Sequence, residues 1–245
     1  MYTYIKEYKQ IHSGQDIYIL ASGASMDYMS FSFFDGKITI GLNKMYNFYK
    51  CTYIIVKDIV TKKEFIQHYT AAKKAGSKFI TTDIHNGATH LFKTKRDYIV
   101  VPVGEWGGFV KPSLLDTDTF VNSHLTITTA IHVAYYLGAK NIILVGADCG
   151  LLDGKINIKN YYDNATLSKV NPDNSVLSDR LARTVSHTYN EFNITSLRDA
   201  LKKKGCNLVS LNPFVNIGLE GHKYTKVAIP EEEMWAGATD KIILT

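Results

Sequence analysis

The stretch Leu125-Thr-Ile-Thr-Thr-Ala-Ile-His-Val-Ala-Tyr-Tyr-Leu-Gly138-Ala-Lys-Asn-Ile-Ile-Leu-Val145-Gly-Ala-Asp148 carries two hydrophobic periods in succession. Between Leu125 and Leu137, Ile127, Ile131 and Ala134 recur at i, i+4 and i+7. That spacing puts them on one face of a helix, and Gly138 is its natural stop. Asn141-Ile-Ile-Leu-Val145 is then apolar at consecutive positions. A strand with one wet face would alternate. This one reads as buried on both faces, as in a parallel sheet covered by helices.

Working outward, the same alternation fills most of the chain. Asp16-Ile-Tyr-Ile-Leu-Ala21, Lys37-Ile-Thr-Ile-Gly-Leu42 and Thr52-Tyr-Ile-Ile-Val-Lys57 read as buried strands. Lys62 to Ala75 reads as a helix stopped by Gly76, and Lys78-Phe-Ile-Thr81 and Tyr98-Ile-Val-Val101 as further strands. Thr195 to Lys204 is a helix closed by Gly205, and the strand Asn207-Leu-Val-Ser-Leu211 follows. Such alternation implies right-handed crossovers and a Rossmann-like, doubly wound α/β fold with a mostly parallel sheet. Gly104 to Phe120 and Gly150 to Asn174 fall outside the pattern. The second is long, polar and Tyr-bearing, and loops of more than ~15 residues in compact domains are commonly functional, so residues 150–174 read as a lid. The tail, 212–245, has no strong period. With no repeat and no low-complexity segment, residues 1–245 read as a single domain.

The bulk numbers agree. The chain has 245 residues, 45% of them apolar and 21% charged, which excludes a disordered protein. A net charge of +5, spread along the chain, favours an anionic ligand over nucleic acid. It leaves open a peripheral attraction to the inner face of a membrane, and a homo-oligomer is left open as well. Cys51, Cys149 and Cys206 lie far apart, without metal-site spacing, and suit a reducing compartment. No apolar leader and no run near ~20 apolar residues is visible, so the expectation is a cytoplasmic protein.

Several motifs could carry chemistry. Ser22-Gly-Ala-Ser25 directly follows the first of these strands. Small residues there let backbone amides approach a phosphate, although a plain tight turn would use the same residues. The full G-x-G-x-x-G spacing is missing, which disfavours a dinucleotide. Asn43 ends the next strand, where such folds meet a ribose or base, and Asn is also a routine turn residue. Asp148 ends the clearest strand, at the edge where these sheets bind ligands, or it caps a helix there. His187 lies between the lid and the last helix, with an imidazole suited to general-base work near neutrality. His124 and His132 read as surface or satisfied histidines, and Cys149 as a structural thiol. Asp116-Thr-Asp118 has the form of a metal-holding D-x-D but follows no strand, so it reads as a chance match.

Taken together, these pieces resemble the bacterial single-domain sialyltransferases of glycosyltransferase family 42. They also resemble the wider MptE-like superfamily, which includes flagellin glycosyltransferases and an archaeal pterin pyrophosphokinase. The similarity runs in order through Ala21-Ser-Gly-Ala-Ser25, Gly41-Leu-Asn43, the block Leu125 to Asp148, Tyr161-Tyr162, His187, Ser210-Leu-Asn-Pro213, Tyr224-Thr-Lys226 and Ile229-Pro230. The chain departs from the family at Ala24, where a Pro is usual, and at Ser123–His124, where the sialyltransferases carry an Arg. It departs again at Cys149, which replaces an aromatic.

The resemblance implies an inverting transferase that moves a nonulosonic acid, such as sialic acid, from a CMP-activated donor to a glycan acceptor, with no metal. It implies that His187 is the general base and that Tyr161 and Tyr162 donate to the leaving phosphate. Ser22, Gly23, Ser25, Asn43 and Thr126 would line the nucleotide site, with Asp148 at its edge. The alternative is a pyrophosphokinase acting on a pterin alcohol, which would need Mg²⁺ held by carboxylates such as Asp148, Asp153 and Asp163. A binding module for nucleotide sugars, without activity, is the third reading.

Overall fold

The structure is a computed structural model, and it describes residues 2–57, 59–85, 88–89, 96–104, 110–123, 125–147, 158–159, 161 and 187–211. In chain order its elements are β1 (Tyr2–Tyr4), β2 (Asp16–Leu20), β3 (Ile38–Leu42), β4 (Tyr53–Val56), α1 (Lys62–Lys74) and β5 (Lys78–Thr82). Then come β6 (Ile84–His85), β7 (Ala88–Thr89), β8 (Tyr98–Val101), α2 (Thr126–Tyr136), β9 (Asn141–Val145), α3 (His187–Lys202) and β10 (Asn207–Ser210). Short 3₁₀ turns fill several of the connections. Eight strands form one sheet in the order β1-β8-β5-β4-β3-β2-β9-β10. Every pairing in it is parallel. β6 and β7 form a separate antiparallel pair. Among the described residues no helix is long and apolar enough to cross a membrane.

The consecutive apolar residues of each strand divide between two cores. Ile17, Ile19, Ile40, Ile142 and Leu144 point to the side covered by α2 and α3, against Ile127, Ile131, Ala134, Leu197 and Leu201. Tyr18, Leu20, Ile54, Ile143 and Val145 point to the other, against Phe65 and Ala72 of α1 and the turn residues Met26, Phe34 and Met45. Both faces are dry, so the strands cannot alternate with polar residues. Burying one Ile or Leu side chain in this way stabilises the fold by about 1.5–3 kcal/mol.

The direction of the chain explains which face each helix takes. From β2 through β3 and β4 to β5 the sheet grows one way, and α1 crosses on one face. From β8 to β9 and from β9 to β10 it grows the other way, and α2 and α3 cross on the opposite face. Right-handed crossovers require that reversal of face when the direction reverses. The sheet is therefore doubly wound, with its switch between β2 and β9.

Local signals set the helix ends. Thr61 and Glu64 form a capping box at α1: the Glu64 amide donates to Thr61 Oγ1 at 3.2 Å, and the Thr61 amide donates to Glu64 Oε2 at 2.9 Å. At the end of α2, Gly138 takes φ +101°, and a Cβ there would lie 2.8 Å from the backbone of Ser13. That close approach lets the amides of Gln10, His12 and Gly14 donate to the carbonyls of Tyr136, Leu137 and Gly138. The segment before β2 thus satisfies the carbonyls that α2 leaves open.

Most elements match the sequence reading to within a residue or so. The exception is α3, which begins at His187 instead of Thr195. The buried apolar residues Ile194, Leu197 and Leu201 lie in or beside the stretch from which the sequence reading took the helix. β1 is a further addition, a short Tyr-Thr-Tyr strand pairing with β8 at the sheet edge. Inside the irregular segment 104–120, Pro112–Asp116 forms a 3₁₀ turn and Val103 bridges Phe120.

Candidate functional site

Open parallel sheets bind ligands outside the carboxyl ends of their strands, at the switch in strand order. Here that point lies between β2 and β9, and the loops leaving the two strands are joined there. The Ala21 amide donates to the Val145 carbonyl at 2.8 Å, and the Gly23 amide to the Gly146 carbonyl at 2.8 Å. Gly146 takes φ +66°, and a Cβ on it would meet Ala21 O at 2.7 Å and Met26 Cγ at 2.5 Å. Only glycine lets the loops come this close. Gly23 is extended and leads into the 3₁₀ turn Ala24–Tyr28, where Ser25 is buried. The Ser22 carbonyl accepts from the amide of Ile158 at 2.9 Å, and Asp27 Oδ1 from that of Lys159 at 2.8 Å. The described residues of the expected lid are thereby fastened to the small-residue loop.

One strand over, Asn43 stands at the carboxyl end of β3 with φ +51°, in the left-handed region. Asn tolerates that conformation better than most residues. The backbone then turns through Asn43–Asn47, where the Lys44 amide donates to the Tyr161 hydroxyl at 3.4 Å. The Tyr161 ring stacks on Phe48, centroids 6.0 Å apart and planes 12° apart. Tyr46 Oη lies 2.9 Å from Nδ1 of His68 on α1. Burial pushes the Tyr46 phenol up to about 12, assisted by the nearby Tyr161. Burial also lowers the His68 pKa; Lys44 lowers it further and Glu64 opposes.

The other flank of the crevice is the start of α2. Since α2 is followed by β9 through a tight turn, it runs antiparallel to the strands and its first residue, Thr126, faces their carboxyl edge. Ser123 Oγ lies 2.7 Å from Thr128 Oγ1 and accepts from the Leu125 amide at 3.2 Å, holding the entry to the helix. Lys57, the residue after β4, is only 4% exposed, and its ammonium donates to the Ser123 carbonyl. Burying an ammonium is costly unless it is hydrogen-bonded, so a buried lysine at the carboxyl edge of the sheet stands out. The sequence reading passed over it because it closes the apolar run Thr52–Lys57. Lys44 and His68 were passed over as well, since neither belongs to a recognisable motif.

The structure therefore gathers Ser22, Gly23, Ser25, Asn43 and Tyr161 around the ends of β2 and β3, with Thr126 at the start of α2. His187 is the first residue of α3 and does not precede the helix, as the sequence reading had it. That helix also returns antiparallel to its strand, β10, so it starts on the carboxyl side of the sheet. Tyr162, Asp148, Cys149, His124, Asp153 and Asp163 lie outside the described residues, as do the rest of the lid and the tail 212–245.

Other expectations are resolved away from the crevice. Asp116 pairs with Lys204. Asp118 pairs with Lys9 at 3.6 Å and accepts from the Tyr136 hydroxyl at 2.8 Å. His132 is fully buried, stacked on Phe120 at 4.3 Å, and its Nδ1 accepts from the Val121 amide. Burial pushes the thiols of Cys51 and Cys206 up to about 12, so they stay protonated and unreactive near neutrality. No family model, curated protein or solved structure matches this chain.

Proposed function

We propose that the protein is a glycosyltransferase that moves a nonulosonic acid such as sialic acid from a CMP-activated donor to a hydroxyl of a glycan acceptor. The observation that carries this reading is the convergence of Ser22–Ser25, Asn43 and Tyr161 on the switch point of a doubly wound parallel sheet. The small loop offers backbone to the phosphate, and Asn43 meets the ribose or base. Thr126, at the start of α2, adds a hydroxyl where the helix dipole favours negative charge.

In this reading the bond from the anomeric carbon to the CMP phosphate breaks while the acceptor oxygen attacks from the opposite face. His187 takes the proton of that hydroxyl. Tyr161 and Tyr162 donate to the phosphate as charge grows on it. Hydroxyls, amides and a helix start carry the charge, so the step needs no metal.

Titration calorimetry with CMP in EDTA tests the reading. Binding without metal is the expected result. Binding only of ATP, and only with Mg²⁺, would replace it with the pyrophosphokinase reading.

A further inference from the structure

Beyond Asn43, the turn Asn43–Asn47 and α1 hold a titratable pair that the transfer chemistry does not use. We propose that Lys44, Tyr46 and His68 form the anion-binding wall of the nucleotide site, and that His68 takes up a proton when a phosphate diester sits against Lys44. The inference rests on the nucleotide reading above and adds how that site recognises charge.

Geometry supplies the argument. Lys44 and Tyr46 follow Asn43 in the same short turn, against which α1 packs. Tyr46 Oη and His68 Nδ1 are 2.9 Å apart, with the rings edge to face at 5.9 Å. The phenol keeps its proton well above neutral pH, so it can donate to a bare Nδ1 or accept from a protonated one, and the contact accommodates His68 in either charge state. The charged and titratable groups acting on His68 are Lys44 from the turn and Glu64 from its own helix, with Tyr161 behind Tyr46. Burial and Lys44 disfavour an imidazolium and Glu64 only partly offsets them, which lowers the His68 pKa and favours its neutral form. An anion against Lys44 cancels that repulsion and adds an attraction of its own, which raises the His68 pKa. A group whose pKa rises on binding makes binding tighter as the pH falls through the range between its free and bound values.

Calorimetry on the full chain between pH 5.5 and 8, in buffers of different ionisation enthalpy, reads this directly. The probes are the methyl diester of CMP and inorganic sulfate, whose charges stay fixed over that range. Affinity for the diester is expected to rise about tenfold as the pH falls, with measurable proton uptake, since one pKa step between free and bound protein is a factor of ten. His68→Gln, which can still accept from Tyr46, should flatten the profile and abolish the uptake. Lys44→Met should weaken binding about tenfold at every pH. An unchanged pH profile in His68→Gln would overturn the wall and leave the nucleotide reading standing. Sulfate binding with His68-dependent uptake, without binding of the diester, would keep the wall and sink the nucleotide reading. If neither probe binds, both fall.

Discussion

His187 and His132 show how differently one side chain can be used. In the proposed mechanism His187 touches the acceptor hydroxyl and not the nucleotide. His187→Ala should therefore lower turnover by ~10²–10⁴, the usual contribution of one general base, with CMP affinity unchanged. Calorimetry and a transfer assay on the same preparation check both halves. His132 is a structural group. Its Nδ1 accepts from Val121, its Nε2 has no partner, and burial pulls its pKa from 6.5 to about 3. Below about pH 6.5 the unfolded chain binds a proton at this residue and the folded chain does not, so stability falls with pH down to about 3. Between pH 6.5 and 5 that amounts to about 1.7 kcal/mol. His132→Asn, which retains an acceptor for Val121, should reduce the pH slope of urea-unfolding stability by that amount, whatever its absolute stability. An equal slope in both proteins would mean that His132 does not stay neutral.

Elements were legible where burial repeats with a simple period. β9 and β8 could be read to the residue because a strand dry on both faces is uninterrupted Ile, Leu and Val. The start of α3 was not, because Tyr189 and Phe192 before Ile194 are too few to set a helical period, and β1 was too short to announce itself. Of the candidate site, the placement of Ser22–Ser25 and Asn43 was legible because small and turn-forming residues directly follow strands. Lys57 and the Tyr46–His68 pair were not, because their proximity arises only when β4, the turn after β3 and α1 are assembled. The joint between the β2 and β9 loops is likewise tertiary, and it is testable. Gly146→Ala places a Cβ against Ala21 O and Met26, and should cost about 1–3 kcal/mol from overpacking while also weakening CMP binding. Gly205→Ala is the control: φ there is +75° with open space around it, so only backbone strain of about 1 kcal/mol is expected, with CMP affinity intact. Denaturant midpoints and calorimetry on the two variants separate strain from contact.

Across the molecule, a doubly wound sheet brings the carboxyl ends of β2 and β3, where the nucleotide site is proposed, between α2 on one face and Tyr161 with the turn after β3 on the other. The most direct measurement is hydrogen exchange along the full chain, with and without CMP, in EDTA. The described residues predict slower exchange in Ala21–Asp27, Asn43–Asn47 and Ser123–Ala130, and the lid reading adds residues 150–174. Exchange around Asp116–Asp118 and at the end of α2 should stay as it was. Protection centred on Asp116–Asp118, or no protection anywhere at saturating CMP, would contradict a nucleotide site at this edge.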